Sequence, residues 1–237
     1  MEIIVNEKDL FFNSDCRALI IGSTGAIGSA IVNNLRKKIK AENVVTISRS
    51  DNGFDLMSPE SIALEAGKLD GSFELILDAT GALTIDGFGP EKSINAINYE
   101  RMVNQFKVNA IGPALIIKHF MQFLPRRGKV VFATLSARVG SIDDNRLGGW
   151  ISYRASKAAL NQIIRTASIE ASRKNPQSVF LAIHPGTVLS SLTKQYLGTH
   201  KYVQPDEAAQ NILQVIERKD FTDSGGLYDF AGQKIPY

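Results

Sequence analysis

The feature that most constrains this chain is an alternation. Short, continuous runs of Ile, Val and Leu are separated by longer segments of helical period. Burial on both faces is what makes a strand's apolar run continuous rather than alternating. Strands separated by helices in this way form β-α-β units around a parallel sheet. The runs predict strands at Arg17–Ile21, Val44–Ser48, Leu75–Asp78, Lys129–Thr134 and Val179–His184, with a short last strand near Leu227–Phe230. Helices are predicted over Gly28–Lys40, Pro59–Gly67, Tyr99–Phe123, Trp150–Asn175 and Pro205–Arg218, where Ser58-Pro59 and Gln204-Pro205 supply start signals.

A chain of 237 residues, 44% hydrophobic and 22% charged, suits one domain of this kind. The expected fold class is therefore α/β: a single Rossmann-like domain over residues 1–237, its doubly wound parallel sheet flanked by helices on both faces. A net charge of +3 from 27 basic and 24 acidic residues is too weak and too mixed for a nucleic-acid or membrane-surface footprint. Cys16 is the only cysteine, so no intrachain disulfide forms, which fits a cytoplasmic protein. The start, MEIIVNEKDLFF, is too acidic for a secretory signal, and no apolar run is long enough to span a bilayer. His119, His184 and His200 show no ligand spacing, so no metal site is expected.

In open sheets of this kind ligands bind beyond the carboxyl ends of the strands. The first strand runs into IIGSTGAIGSAIV, where Gly22, Gly25 and Gly28 precede a helix. Such a turn exposes backbone N–H groups at a helix N-terminus and lets a pyrophosphate approach closely. At the end of the second strand, Ser48, Arg49 and Ser50 stand where an NAD site would place an acid. A guanidinium flanked by hydroxyls suits a 2′-phosphate, so NADP(H) is favoured, with NAD(H) the alternative; otherwise Arg49 solvates a loop. Asp55 either accepts a bond from an adenine amino group or caps the following helix.

Tyr153 and Lys157 lie four apart in a helical segment, hence on one face. An ammonium about 4 Å from a phenol, at an effective dielectric near 20, favours the phenolate by about 4 kcal/mol. That would bring a tyrosine from about 10 to near 7, a usable general acid and base.

With the glycine turn, this pair resembles the short-chain dehydrogenase/reductase family. The resemblance runs from Ala18 to about Tyr237 and includes DATGAL at Asp78–Leu83, KVNAIGP around Asn109, YRASK at Tyr153–Lys157 and HPGTVLS at His184–Ser190. The GSIDDN and GGW loop and the ending GGLYDFAGQKIPY are most similar to the C-factor and carbonyl-reductase-like branch. The resemblance implies carbonyl–alcohol interconversion on a small-molecule substrate. Tyr153 would move the proton, Lys157 would hold the nicotinamide ribose, and Asn109 would hold a relay water. It further implies cofactor contacts at Ser23, Thr24, Ile27, Leu56, Ala79, Thr80, Gly81, Pro185, Gly186, Val188 and Ser190, beside the glycines and Arg49. Leu83, Val188, Leu189 and Leu192 would make the substrate pocket apolar, and Ser190 to Gln204 would form its lid. Assembly as a homodimer or homotetramer through Tyr99–Phe123 and Trp150–Asn175 is implied as well.

The chain departs from the family at one catalytic position. The family reads Ser-Ser, two residues, then Gly, with the second Ser polarising the carbonyl; aligned on Gly140, that position is Ala137. Ser136, counted with the catalytic candidates, could serve if the strand end bulges, since neighbouring side chains point to opposite faces. Ser141 could swing in instead, or Tyr153 could act alone. A regulatory dinucleotide-binding protein with little turnover is the rival reading. Arg138 and Arg146 either recognise an acidic group or pair with Asp143 and Asp144.

Overall fold

The computed structural model describes residues 10–190, 193 and 202–237. Six parallel strands form one sheet: β1 (Ala18–Ile21), β2 (Val44–Ile47), β3 (Leu75–Asp78), β4 (Val130–Leu135), β5 (Ser178–His184) and β6 (Gly226–Asp229), in the order β2-β1-β3-β4-β5-β6. The order reverses at β1 and β3, and the crevice beyond their carboxyl ends is where the glycine turn lies.

The continuous apolar runs have a direct cause. Ala18 and Ile20 enter one core with helix α1 (Ala26–Leu35) and the late helix Pro205–Arg218, while Leu19 and Ile21 enter another on the opposite face. The second core takes in helix α3 (Pro59–Gly67) and a later helix through Ile62, Ile116 and Phe120, all fully buried. Across it Phe132 and Phe180 stack with ring centres 5.4 Å apart.

Helix α1 ends at Leu35 rather than Lys40, because the chain turns there to bury Ile39 at 5% exposure. A one-turn helix α2 (Arg49–Asn52) follows β2, capped by Ser48, whose hydroxyl accepts from the Asp51 N–H. The predicted helix Tyr99–Phe123 is three pieces: α4 (Tyr99–Phe106), a π turn (Lys107–Ile111) and α5 (Gly112–Phe120), with a 3-10 turn to Phe123. Helix α6 (Ile151–Lys174) and helix α7 (Pro205–Arg218) complete the layers. Among the described residues no helix is long and apolar enough to cross a membrane.

Candidate active site

The glycine turn is shaped by two close approaches. Gly22 adopts φ +82°, and its N–H donates to Ile47 O at 2.8 Å, bending the chain off β1. A Cβ on Gly28 would fall 2.2 Å from Gly22 O, so only glycine lets α1 start against the turn. Helix α1 begins after Gly25 with no side-chain cap and no acid in its first turn. Its leading N–H groups and positive dipole end therefore face the crevice.

Around this turn the expected cofactor contacts fall into two groups. Thr24 is exposed, and its hydroxyl accepts from Ser50 at 3.1 Å, which joins the glycine turn to the Ser48–Ser50 loop. Arg49 is exposed beside it, with no acceptor on its guanidinium among the described residues. Ser23, by contrast, is buried, with its hydroxyl 3.4 Å and its backbone N 3.3 Å from Ile47 O. Ile27 packs against the core. The Asp55 carboxylate accepts from Met57 N at 2.9 Å, tightening the turn before α3, while Ser58 rather than Asp55 caps that helix. Leu56 fills the space over Gly112, where a Cβ would come within 2.6 Å of it.

The loop after β3 carries the second half of the site. Ala79 N donates to Ile21 O at 2.8 Å, drawing this loop against the glycine turn. Gly81 sits at φ +134°, and a Cβ there would lie 3.2 Å from Asn109 Oδ1 and 3.3 Å from Lys157 Nζ. Gly81, Asn109 and Lys157 thus converge. Asn109 is fully buried: its Oδ1 accepts from Ala82 N at 3.0 Å, and its Nδ2 donates to Ala82 O at 2.8 Å and Gln105 Oε1 at 2.7 Å. Both Nδ2 donors are thus taken, and the buried Oδ1 keeps one acceptor lone pair. Around it the π turn interrupts the regular i to i−4 ladder, and Pro113, four residues on, has no N–H to give the Asn109 carbonyl.

Helix α6 presents Tyr153 and Lys157 together, with Lys157 Nζ 6.0 Å from the centre of the tyrosine ring. The ammonium donates to Leu135 O at 2.9 Å. The expected drop in the Tyr153 pKa is not what this geometry gives. Burial pushes the phenol upward, and the ammonium is held off on the strand-end carbonyl, so Tyr153 stays protonated at neutral pH. Burial likewise lowers Lys157 to about 8, against an opposing pull from Asp78.

Asp78 is the group the sequence reading missed. It is fully buried and accepts from Thr80 N at 2.9 Å, Thr80 Oγ1 at 2.5 Å and Thr134 Oγ1 at 3.1 Å. Burial raises its pKa, with the Thr80 bonds and the Lys157 charge acting against the rise. A carboxylate closing a wholly apolar strand was the available signal, since buried acids are rare without partners.

At the end of β4 the structure corrects the serine expectation. The Ser136 hydroxyl is buried and donates to Asn161 Oδ1 at 2.6 Å, under α6 and away from the crevice. No bulge turns it round: Ala137 is extended, at φ −145° and ψ 144°, and its methyl occupies the expected position. Ser141 is buried too, accepting from Asp144 N at 3.1 Å. Arg138 pairs with Asp144 at 2.5 Å, whereas Arg146 makes no ion pair among the described residues.

Strand β5 delivers Pro185 and Gly186, the latter at φ +81° with the Phe230 ring 3.1 Å from where a Cβ would be. Val188 is buried and bridges to Val203. The Ser190 hydroxyl lies 3.1 Å from that of Thr193. His184 is held neutral, its pKa lowered to about 4 chiefly by burial and then by Arg138. Leu192, His200 and most of the expected lid lie outside the described residues.

The switch-point crevice, the glycine turn and the Tyr–Lys helix together define a dinucleotide-binding α/β protein of the dehydrogenase type. A sequence profile described as enoyl-(acyl carrier protein) reductase matches residues 61–224, and the chain belongs to the short-chain dehydrogenase/reductase family. It is 29% identical over 222 residues to the 1-hydroxy-2-glutathionyl-2-methyl-3-butene dehydrogenase of a Rhodococcus strain, covering 87% of this chain and 93% of that one. It is 28% identical over 145 residues to the C-signal of Myxococcus xanthus, covering 61% and 84%. In fold it is similar to the NADPH-bound carbonyl reductase from chicken fatty liver, with a TM-score of 0.79 and 22% identity over 96% and 98% of the chains. The carbonyl reductase Sniffer of D. melanogaster is another neighbour, at 0.78 and 17% over 93% and 99%. The chain is thus an oxidoreductase by family.

Proposed function

We propose that this protein interconverts a carbonyl and an alcohol on a small organic molecule with NADP(H), and that Tyr153 moves the proton. The observation that carries this reading is the convergence of Gly81, Asn109 and Lys157 beside Tyr153, at the mouth of a turn whose Gly28 leaves no room for a side chain. The chemistry of the residues fits the dinucleotide. The uncapped start of α1 suits a pyrophosphate, and Arg49 with Thr24 and Ser50 suits a 2′-phosphate. NADPH-bound neighbours support the same choice. When bound, the nicotinamide supplies or accepts a hydride.

The protein's own residues do the rest. A protonated Tyr153 donates to the carbonyl oxygen as the alcohol forms. Lys157, charged below about pH 8, holds ribose hydroxyls and returns the lost proton from solvent, by way of a water that the Asn109 backbone carbonyl in the π turn would hold. No hydroxyl at Ala137 assists, and a missing oxyanion donor typically costs about 100- to 1000-fold in rate. We place the protein in the cytoplasm as one dinucleotide-binding unit, self-associating through α4–α5 and α6, where Ile111 and Ile169 are exposed.

The test is NADPH oxidation against aldehydes, ketones and quinones. Glutathionyl adducts belong in the panel because the Rhodococcus relative is named for one. Turnover lost in Tyr153→Phe with NADPH binding retained supports the reading. The rival is a dinucleotide-binding regulatory protein, favoured by Ala137 and by the similarity to C-signal. Equal, near-zero rates in wild type and Tyr153→Phe, with both binding NADPH, would establish it.

A further inference from the structure

Helix α6 carries Tyr153 and Lys157 but lacks the means to fix its own start. Its cap position is Trp150, a bulky residue in the left-handed region at φ +54°, with no side-chain cap and no acid in the first turn. Leading N–H groups normally find a capping side chain, and a negative group there complements the helix dipole. Here both come from elsewhere in the chain. Glu91, in the loop between β3 and α4, is 7% exposed, and its carboxylate accepts from Ser152 N at 3.1 Å and from the Ser152 hydroxyl. The Glu91 carbonyl accepts from Trp150 N at 2.5 Å. Ser152, itself fully buried, is the residue immediately before Tyr153. The Trp150 ring in turn meets the Tyr153 ring edge-on, with centres 6.2 Å apart.

We propose that Glu91 is a positioning residue for the reaction, a cap supplied from a distant loop that sets the first turn of α6 and so the direction of the Tyr153 hydroxyl. This rests on the reading of Tyr153 as the proton donor. The three Glu91 contacts hold Trp150 by the carbonyl and Ser152 by the carboxylate, fixing the backbone on either side of Ile151. Without the carboxylate, Ser152 N and the Ser152 hydroxyl lose the acceptor that ties the first turn of α6 to the loop after β3. The loop carrying Glu91 also supplies Gly81 and the Ala82 contacts to Asn109. One segment thereby aligns both the proton donor and the relay.

The test uses Glu91→Ala and Glu91→Gln in the full chain, with Ser152→Ala as a milder variant. Trp150 is the only tryptophan, so its emission and near-ultraviolet dichroism report the start of α6 directly, without turnover. Glu91→Ala is expected to alter both signals, keep NADPH binding within about twofold, and lower kcat by about 10- to 100-fold, as small misplacements of a reacting group do. Glu91→Gln, which keeps an acceptor, and Ser152→Ala should fall between. An unchanged Trp150 signal, or a kcat within twofold of wild type, overturns the proposal, as does a loss confined to KM. If Glu91→Ala fails to fold, Glu91→Gln decides on the same readouts. Tyr153→Phe runs alongside: wild-type turnover in that variant sinks the Tyr153 reading itself, whatever the Glu91 variants show.

Discussion

The Ser136 hydroxyl donates to Asn161 Oδ1 at 2.6 Å, tying the end of β4 to the middle of α6. A residue that looked like a stand-in catalyst is a structural tie. Ser136→Ala leaves a buried carbonyl oxygen without its donor, which costs about 1–3 kcal/mol. Denaturant unfolding should show that loss, while kcat per folded molecule stays within about twofold of wild type.

Ala137 aligns with the family's carbonyl-polarising serine and lies on extended backbone. Ala137→Ser should therefore raise kcat, by up to about 100-fold if the new hydroxyl meets the developing oxyanion. Steady-state kinetics on a responsive carbonyl checks this. No gain would mean that the substrate oxygen lies elsewhere.

Burial lowers Lys157 to about 8, and Asp78 opposes the shift. The ammonium is present below that pH and is lost as pH rises through it. Carbonyl reduction should accordingly decline above about pH 8. Removing the Asp78 charge removes the group that holds the lysine pKa up, so Asp78→Asn should move the decline to lower pH. The pH profile of kcat for the two proteins decides it, and an upward movement would contradict the assignment.

Arg49 is exposed beside Ser50 and Thr24, with no acceptor on its guanidinium among the described residues. A charge-assisted contact contributes about 1.5–3 kcal/mol, so Arg49→Ala should weaken NADPH binding by about 10- to 100-fold and leave NADH nearly unchanged. Titration of nucleotide fluorescence with both cofactors gives the comparison.

Gly28→Ala places a methyl 2.2 Å from Gly22 O. The turn must open or α1 must retreat, and either removes the cradle. Binding of NADPH should be lost before the sheet is, detectable as a protein with native far-ultraviolet dichroism that no longer protects the nucleotide's fluorescence.

How much of this is legible in the sequence depends on how local the cause is. Helices Pro59–Gly67 and Pro205–Arg218 match to the residue because Ser58-Pro59 and Gln204-Pro205 announce them. The strands come within a residue or so because burial on both faces leaves an unbroken apolar run. The break in Tyr99–Phe123 has a local cue in Gly112-Pro113, since Pro113 has no N–H to give the Asn109 carbonyl four residues back; the pairing of the Asn109 amide with Ala82 and Gln105 exists only after folding. The same holds for the Tyr153 pKa. The spacing of Tyr and Lys is written in the chain, but whether the ammonium serves the phenol or the Leu135 carbonyl is decided by where β4 ends.

The π turn at Lys107–Ile111 has a further consequence. A helix advances about 100° per residue, so one surplus residue in a turn rotates everything beyond it by that amount. Upstream, Gln105 reaches the Leu83 carbonyl and the Asn109 amide; downstream, Ile116 and Phe120 look into the core. No straight helix of this sequence satisfies both. Deleting one residue between 107 and 111 would restore a regular spiral and force a choice between chemistry and packing, so the irregularity is the hinge on which one continuous segment serves two masters.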